Sequence, residues 1–507
     1  MSRSILVSRV MDILPERATG LIRGNLKSDL ARKVSSGMVW TFIGTIGSRM
    51  LIFLTYVAIA RILKTQGFGE LGMVRSTVDM FVTFAGLGLG ITATKFISEY
   101  GATDKVKVGR IIRMSYLVSW ITGIIVAASI FIYAEPLAAV SLKSTELVND
   151  LKIGGIAILF YSVGGMQNGI LLGMEEFKSI SKINLTAGIL NIPIAVALAY
   201  FFGVSGAVIS LACNAFIICC FGFYEVRRAA AAKGINVGES GFFKEFGLLY
   251  SYSLPAVLSG GLVLPVNWFC NAFLVEIPSG YQQLGIYNAA LNIMLVVTVI
   301  NGMIGQAFLP YVVQNLNSAN RKFEMVNNYL PWTVGIFISL PFMYVPELGN
   351  LLFGRDYAGE TLKTSIVLVM FTTIVVAHRQ GISRNFTAKG YMWWSFLSNG
   401  FWGVVALVCM YFLKEYGAVG RSAAYAIAYL LNTIVFIPFY LSRKLCEKEF
   451  VLSLESNIVW LLILGSIGLL AFVNIPFVVR ILMLPCVMAV IAFLLIKIFK
   501  RHGIRSN

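Results

Sequence analysis

Arg75 and Asp79 stand four residues apart inside an apolar stretch, the spacing that brings two side chains together on one helical face. At helical spacing the same face continues through Thr83, Gly86, Gly90 and Thr94, so one side is polar or small and the others are greasy. Ionised groups at membrane depth are expensive, and they normally face a bundle interior or a watery cavity. Comparable charges recur along the chain. Arg49 lies near mid-depth of the preceding apolar segment, on a face with Thr41, Thr45 and Ser48, and Lys95 lies near the inner end of the Arg75 segment. His378, Arg379 and Arg384 crowd the inner half of a later one, and Arg113 begins the third. Two kinds of chemistry fit. Guanidinium groups lining a cavity can hold an anionic headgroup through bidentate bonds to phosphate. Alternatively, Arg75 is paired with Asp79 while the others snorkel to the interface or bond backbone carbonyls. For Arg75 and Asp79 we expect a structural pair that also lines the cavity.

Other chemistry finds little support. The run Gly86-Leu87-Gly88-Leu89-Gly90 lacks the preceding strand that a dinucleotide fingerprint needs, and no GxxxxGK[ST] sequence occurs. The glycines suit close helix packing instead. Only His378 and His502 are present, so no histidine-based metal cluster is expected. The seven cysteines sit mostly in apolar segments and show no metal spacing. An enzyme is not expected, and no cofactor is implied beyond a coupling ion, H+ or Na+, whose identity stays open.

These residues must be positioned by membrane helices. The chain has 507 residues, 58% hydrophobic and 13% charged, far too few charges for a soluble chain of that length. Apolar runs longer than about 18 residues recur throughout. From residue 36 onward about 14 spanning segments are expected, at 36–60, 73–98, 111–133, 152–173, 180–202, 205–224, 244–272, 284–308, 325–345, 362–384, 392–413, 418–441, 456–473 and 477–498. A short charged turn ending in Gly67-Phe68-Gly69 is expected between the first two. Residues 1–35 carry seven basic residues and fit either a short helix on the membrane surface or a solvated basic tail.

The net charge of +17 would suggest nucleic acid in a soluble protein. Here it is better explained by orientation. Basic pairs such as Arg227-Arg228, Arg321-Lys322 and Arg443-Lys444 fall after even-numbered segments, whereas loops after odd-numbered ones hold only Arg61, Lys64, Lys143, Arg355 and Lys414. Lys152, Lys363, Arg421 and Arg480 also lie on that second side, at the starts of helices. The bias puts both termini in the cytoplasm of a multi-pass protein of the inner (plasma) membrane.

An internal repeat divides the chain. Gly67-Phe68-Gly69-Glu70-Leu71-Gly72 recurs as Gly280-Tyr281-Gln282-Gln283-Leu284-Gly285, 213 residues on, and the same offset sets Arg75 on Asn288 and Asp79 on Asn292. Gln167-Asn168-Gly169-Ile170 matches Arg379-Gln380-Gly381-Ile382, and Gly203-Val204-Ser205-Gly206 matches Gly417-Ala418-Val419-Gly420. The order is kept, and six crossings per unit leave the units parallel, with the substrate path between them. The expected organisation is an all-α polytopic membrane protein. A segment at 1–35 precedes a first lobe at 36–224, a linker at 225–243 and a second lobe at 244–441; two further helices span 456–498, and 499–507 forms a tail. Pro255 and Pro265 interrupt the seventh segment. They fit a gating hinge or a static kink.

The opening SGMVWTFIGTIGSRMLIFLTYVAIARILKTQGFGELGM, with Ala60-Arg61 before GFGELG, and the glycine-rich end of the second segment followed by Lys95 and Ile97, resemble the polysaccharide-repeat (O-antigen type) flippases. These belong to the multidrug/oligosaccharidyl-lipid/polysaccharide exporter superfamily. The resemblance covers the first twelve segments in order. It implies a V-shaped two-lobe bundle whose cavity opens alternately to each side, moving an undecaprenyl-diphosphate-linked oligosaccharide from the inner to the outer leaflet. The family's cationic cavity finds matching positions at Arg49 and Arg75, and further ones at Lys95 and Arg379. With Asp79, Asn288, Asn292 and His378 these make up the expected substrate-binding set. Expected partners are the lipid-linked oligosaccharide, membrane lipids and a polysaccharide polymerase or assembly proteins, with no nucleic acid and a monomeric chain. The alternatives are a lipid II-type flippase and a cation-coupled multidrug exporter. Against the exporter, the first segment has no acid and Asp79 has an arginine one turn away. A polymerase or ligase of the same polysaccharide would need a large outer loop, and the longest here run only about 134–151 and 346–361.

Overall fold

The computed structural model describes residues 29–249, 253, 257, 261–314, 321–473 and 475–503. The amphipathic set expected before residue 29, and Pro255, lie outside the described residues. The longer helices are α1 (Asp29–Ala85), α2 (Leu89–Tyr100), α3 (Lys105–Pro136), α4 (Val148–Gly173), α5 (Phe177–Ala232), α6 (Val263–Val275), α7 (Gly280–Gln314), α8 (Arg321–Tyr344), α9 (Glu360–Ala388), α10 (Met392–Leu413), α11 (Gly417–Ser442), α12 (Leu454–Phe472) and α13 (Phe477–Gly503). No strand occurs among the described residues.

Nine helical stretches among the described residues are long and apolar enough to cross a membrane. Three of them, Ile46–Ala85, Phe177–Ala232 and Trp393–Ser442, run 40, 56 and 50 residues. At about 1.5 Å per residue each is about two to three times the thickness of the hydrocarbon core. Each is broken near its middle, at Lys64 (φ 58°), Gly203 (φ 59°) and Gly417 (φ 60°), and so supplies two crossings. With α6 and α8 the chain makes fourteen crossings. It is an all-α polytopic membrane protein of two pseudo-symmetric six-helix lobes plus two C-terminal helices.

The breaks correct two expectations. The chain reverses at Lys64 alone, and Gly67–Gly72 is helical rather than a turn. These glycines serve close approach between helices. A Cβ on Gly69 would overlap the carbonyl of Tyr281, and one on Gly285 would overlap that of Thr65. The motif and its repeat therefore pack against each other. The second segment is also interrupted, because Leu87 and Gly88 adopt positive φ (43° and 66°) between α1 and α2. The polar face counted from Arg75 to Thr94 is not one continuous stripe.

In the first lobe, α4 packs against α2, α3 and α5, and Gly169 and Gly90 bring α4 and α2 into backbone contact. In the second lobe α9 is central, packed on α7, α8, α11 and α12. That burial on all sides explains its nearly unbroken run from Ile366 to Val376. The helices α12 and α13 attach through α8 and α9 and leave Leu461, Phe472 and Phe493 exposed, as suits a lipid-facing surface.

The lobes meet most tightly at the end away from residues 29 and 503, here termed the far end. Arg61 Nε donates to the Leu352 carbonyl at 2.7 Å, Tyr357 Oη to the Lys64 carbonyl at 3.0 Å, and Tyr281 Oη to the Leu142 carbonyl at 2.6 Å. Deeper in, Trp268 Nε1 donates to Thr77 Oγ1 at 2.8 Å. At the near end, Thr92 and Ser253 share a hydrogen bond of 2.6 Å, and the linker between the lobes is held on α3. Arg113 Nη1 donates to the carbonyls of Gly238 (2.7 Å) and Glu239 (3.0 Å), and Arg110 pairs with the buried Glu245 at 3.0 Å.

Candidate functional site

Arg75 and Asp79 lie on the second arm of α1, Nε to Oδ2 at 3.6 Å, with 41% and 46% of their side chains open. They lie among aromatic and amide side chains of the first lobe. The guanidinium sits over the Tyr56 ring at 4.3 Å, and Tyr161 lies close enough to feel both charges. Tyr161 Oη in turn accepts a hydrogen bond from Asn214 Nδ2 at 3.1 Å. A cation stacked on an aromatic face in a partly dry setting is held by about 0.5–2 kcal/mol. Sequence reasoning missed Tyr56, although it follows Arg49 by seven residues, two helical turns on the same face. No sequence signal marked Tyr161 or Asn214, which come from α4 and α5.

Two cavities lie at corresponding places in the two lobes. One, of about 210 Å³, is lined by Arg49 from α1, by Gln167, Asn168 and Leu171 from α4, and by Asn184 from α5. Gln167 is 1% exposed, and its Oε1 has no hydrogen-bond partner. The other, of about 180 Å³, is lined by Arg379 and Ser383 from α9, Ser398 from α10 and Tyr440 from α11. Arg379 Nη2 donates to Ser398 Oγ at 3.3 Å. Ser398 is itself pinned by Asn432, through Oγ to Oδ1 at 3.1 Å and Nδ2 to the Ser398 carbonyl at 2.6 Å. Gln167 and Arg379, matched by the repeat, thus occupy the same place in each lobe. The guanidinium comes from α1 in the first lobe and from α9 in the second. Among the described residues neither Arg49 nor Arg379 forms an ion pair with a carboxylate. Each can take an anion without first displacing one.

The remaining residues of the expected set are elsewhere. His378 does not join Arg379. It is 2% exposed, stacked on Phe450 at 4.3 Å and edge-on to Trp332 and Trp460, because the next residue on a helix points about 100° away. It packs α9 against α12 and is not at a cavity. Lys95 is exposed near the end of α2, beside the Phe96 ring at 5.0 Å. Asn288 is wedged against Gly72 in the far-end contact between lobes, and Asn292 lies half-buried one turn further along α7. Arg384, expected near a helix end, is buried and bound to Asn327 through Nε at 2.7 Å and Nη2 at 2.6 Å. Pro265 sits in the first turn of α6, where its missing N–H costs nothing. Gly261 and Leu262 form a turn immediately before that helix. Arg49 and Arg379 therefore mark two separate openings, and Arg75 lines neither of them. Among the described residues no group of three or more His, Cys, Asp or Glu side chains could hold a metal, and all seven cysteines are free.

Residues 34–316 match the family described as polysaccharide biosynthesis protein, a span that takes in the Arg49 cavity, the Arg75–Asp79 pair and the glycine contact between lobes. The chain belongs to that family. Relatives include the EPS I polysaccharide export inner membrane protein EpsE of Ralstonia nicotianae, 22% identical over 77% of this chain and 90% of that one. Stage V sporulation protein B of Bacillus subtilis is 20% identical over 65% of this chain and 67% of its own length. Among solved structures, an inward-facing multidrug resistance transporter of the MOP superfamily has a TM-score of 0.63 at 17% identity, covering 79% of this chain and 98% of that one. A MOP superfamily transporter from Pyrococcus furiosus, described as having a binding pocket of reverse polarity, has a TM-score of 0.58 at 17% identity, over 80% and 95%. The family's fold is thus the multidrug/oligosaccharidyl-lipid/polysaccharide exporter fold.

Proposed function

We propose that this protein is a flippase. It moves an undecaprenyl-diphosphate-linked oligosaccharide repeat unit from the cytoplasmic to the outer leaflet for surface polysaccharide synthesis. The observation that carries the reading is the pair of guanidinium groups, Arg49 and Arg379, facing open cavities with no carboxylate partner among the described residues. A diphosphate joined to several sugars is long, and spaced cationic and amide-lined openings suit it better than one compact pocket does. In the proposed cycle, alternating access opens the near, cytoplasmic end while the Gly69–Gly285 contact seals the far end, and then reverses. The Arg75–Asp79 pair speaks against a cation-coupled drug exporter, since Asp79 already has a cationic neighbour at 3.6 Å.

The test is deletion of the gene in its host, followed by a count of lipid-linked repeat units on each leaflet. Accumulation on the cytoplasmic leaflet with loss of surface polysaccharide is expected. Undisturbed surface polysaccharide, together with new sensitivity to cationic dyes, would overturn the reading in favour of the exporter.

A further inference from the structure

Arg421 plays no part in the transport path described above, yet it is a fully buried charge. It stands just past the first turn of α11, where the sequence pattern suggested a basic residue at a helix start, but only 1% of it is exposed. Nε donates to Asn271 Oδ1 at 3.2 Å and Nη2 to Asn267 Oδ1 at 2.8 Å, one turn apart on α6. The guanidinium lies over the Tyr287 ring at 4.6 Å and the Tyr425 ring at 5.5 Å. Among the described residues no carboxylate forms an ion pair with it, and its hydrogen-bond partners are both neutral amides. Glu276, the acid that follows α6, pairs with Lys414 at 3.3 Å.

This setting leaves a full positive charge buried without a carboxylate partner among the described residues, near the helix end whose dipole is also positive. Amide oxygens and ring faces offset only part of that cost. Two hydrogen-bond donors in the same neighbourhood are buried and unpartnered, Arg421 Nη1 and Tyr287 Oη. Guanidinium nitrogen cannot accept, so the missing partner must be an acceptor. A water molecule would satisfy the donors and leave the charge.

We propose that Arg421 and Tyr287 hold a small monovalent inorganic anion of the size of chloride in the core of the second lobe. Burial of both side chains to 1% exposure favours a small ion over phosphate, sulfate or the carboxylate of a sugar. The fixed cation excludes metal ions. The anion would neutralise Arg421 and brace α6 against α7 and α11. The proposal does not depend on what the protein transports.

The test uses the purified full-length protein in lipid nanodiscs, unfolded thermally in sodium chloride and in sodium gluconate at matched ionic strength. The melting temperature should rise saturably with chloride, by roughly 2–4 °C, and gluconate should not reproduce the rise. Arg421→Gln should abolish the chloride response. Tyr287→Phe, which keeps the ring and the cation and removes one donor, should raise the chloride concentration needed for half the effect. Identical wild-type melting in the two salts would overturn the proposal, as would a full chloride response in Arg421→Gln. If Arg421→Gln does not fold, an unchanged half-saturating chloride concentration in Tyr287→Phe overturns it equally.

Discussion

Gly69 and Gly285 meet backbone to backbone across the two lobes: a Cβ on Gly69 would lie 3.0 Å from the Gly285 amide nitrogen, and one on Gly285 3.1 Å from that of Gly69. The two glycines belong to the sequence motif and its repeat, so the repeat marks the surface on which the lobes touch. Any side chain here must push the lobes apart. Gly69→Leu should lower stability by about 1–3 kcal/mol, the usual cost of overpacking, and should abolish surface polysaccharide by preventing closure of the far end. Thermal unfolding and polysaccharide staining check both. Wild-type polysaccharide from a stably folded Gly69→Leu protein would show that this contact need not close.

At the far end of the second lobe, Arg480 grips Glu347 through both oxygens, one contact being 3.2 Å, with Lys363 3.7 Å away. Burial alone would raise the Glu347 carboxyl, but Arg480, the backbone and Lys363 outweigh it and hold it below the usual carboxylate range. The folded group is therefore the stronger acid. Its contribution is present above the unfolded value and is lost as pH falls through the folded value. Because Glu347 is about a third open, Glu347→Gln should cost only about 1 kcal/mol at neutral pH. The melting-temperature difference from wild type should shrink towards zero below the carboxylate range, and a constant difference down to that pH would contradict the assignment.

Arg49 and Arg379 line open cavities rather than packed core, so Arg49→Ala and Arg379→Ala should leave protein abundance near wild type. Losing a charge-assisted bond to phosphate or substrate should cut surface polysaccharide about tenfold or more. Arg49→Lys should recover only part of this, because the ammonium cannot reproduce the bidentate geometry. Abundance and polysaccharide are measured in the same cells. Unchanged polysaccharide in both alanine variants would take these side chains out of the path.

Much of this architecture was legible in the sequence, and the failures have identifiable causes. Apolar length and the two-lobe repeat are properties of whole segments, and the fourteen crossings followed from them. The fate of Gly67–Gly72 did not, because glycine serves equally in a turn and in a tight helix crossing, and only the facing helix decides. The same ambiguity hid the break at Leu87 and Gly88. His378 and Arg379 are neighbours in sequence, yet one is buried among aromatic rings and the other opens on a cavity. Rotation about a helix separates them, and a charge count does not see rotation. Arg421 looked like an ordinary basic residue at a helix start until its burial was known.

The Arg75–Asp79 pair offers the sharpest separation of structure from function. Were it fully buried, removing one member would cost about 3–5 kcal/mol. At 3.6 Å with both side chains nearly half open, it behaves more like an exposed pair, and the cost falls to about 1 kcal/mol or less. Tyr56, under the guanidinium at 4.3 Å, holds Arg75 in place when Asp79 is lost. Asp79→Ala should therefore be stable and retain part of the transport, whereas Arg75→Ala should be stable and inactive. The double change Arg75→Gln with Asp79→Asn removes both charges and keeps the shapes, approximating Asn288 and Asn292 at the repeat-related positions of α7. The second lobe already folds with those neutral groups. If Arg75 holds the diphosphate, the double variant should be well folded, with a melting temperature near wild type, and should make no surface polysaccharide. Normal transport by that variant would make the pair purely structural and remove Arg75 from the substrate path.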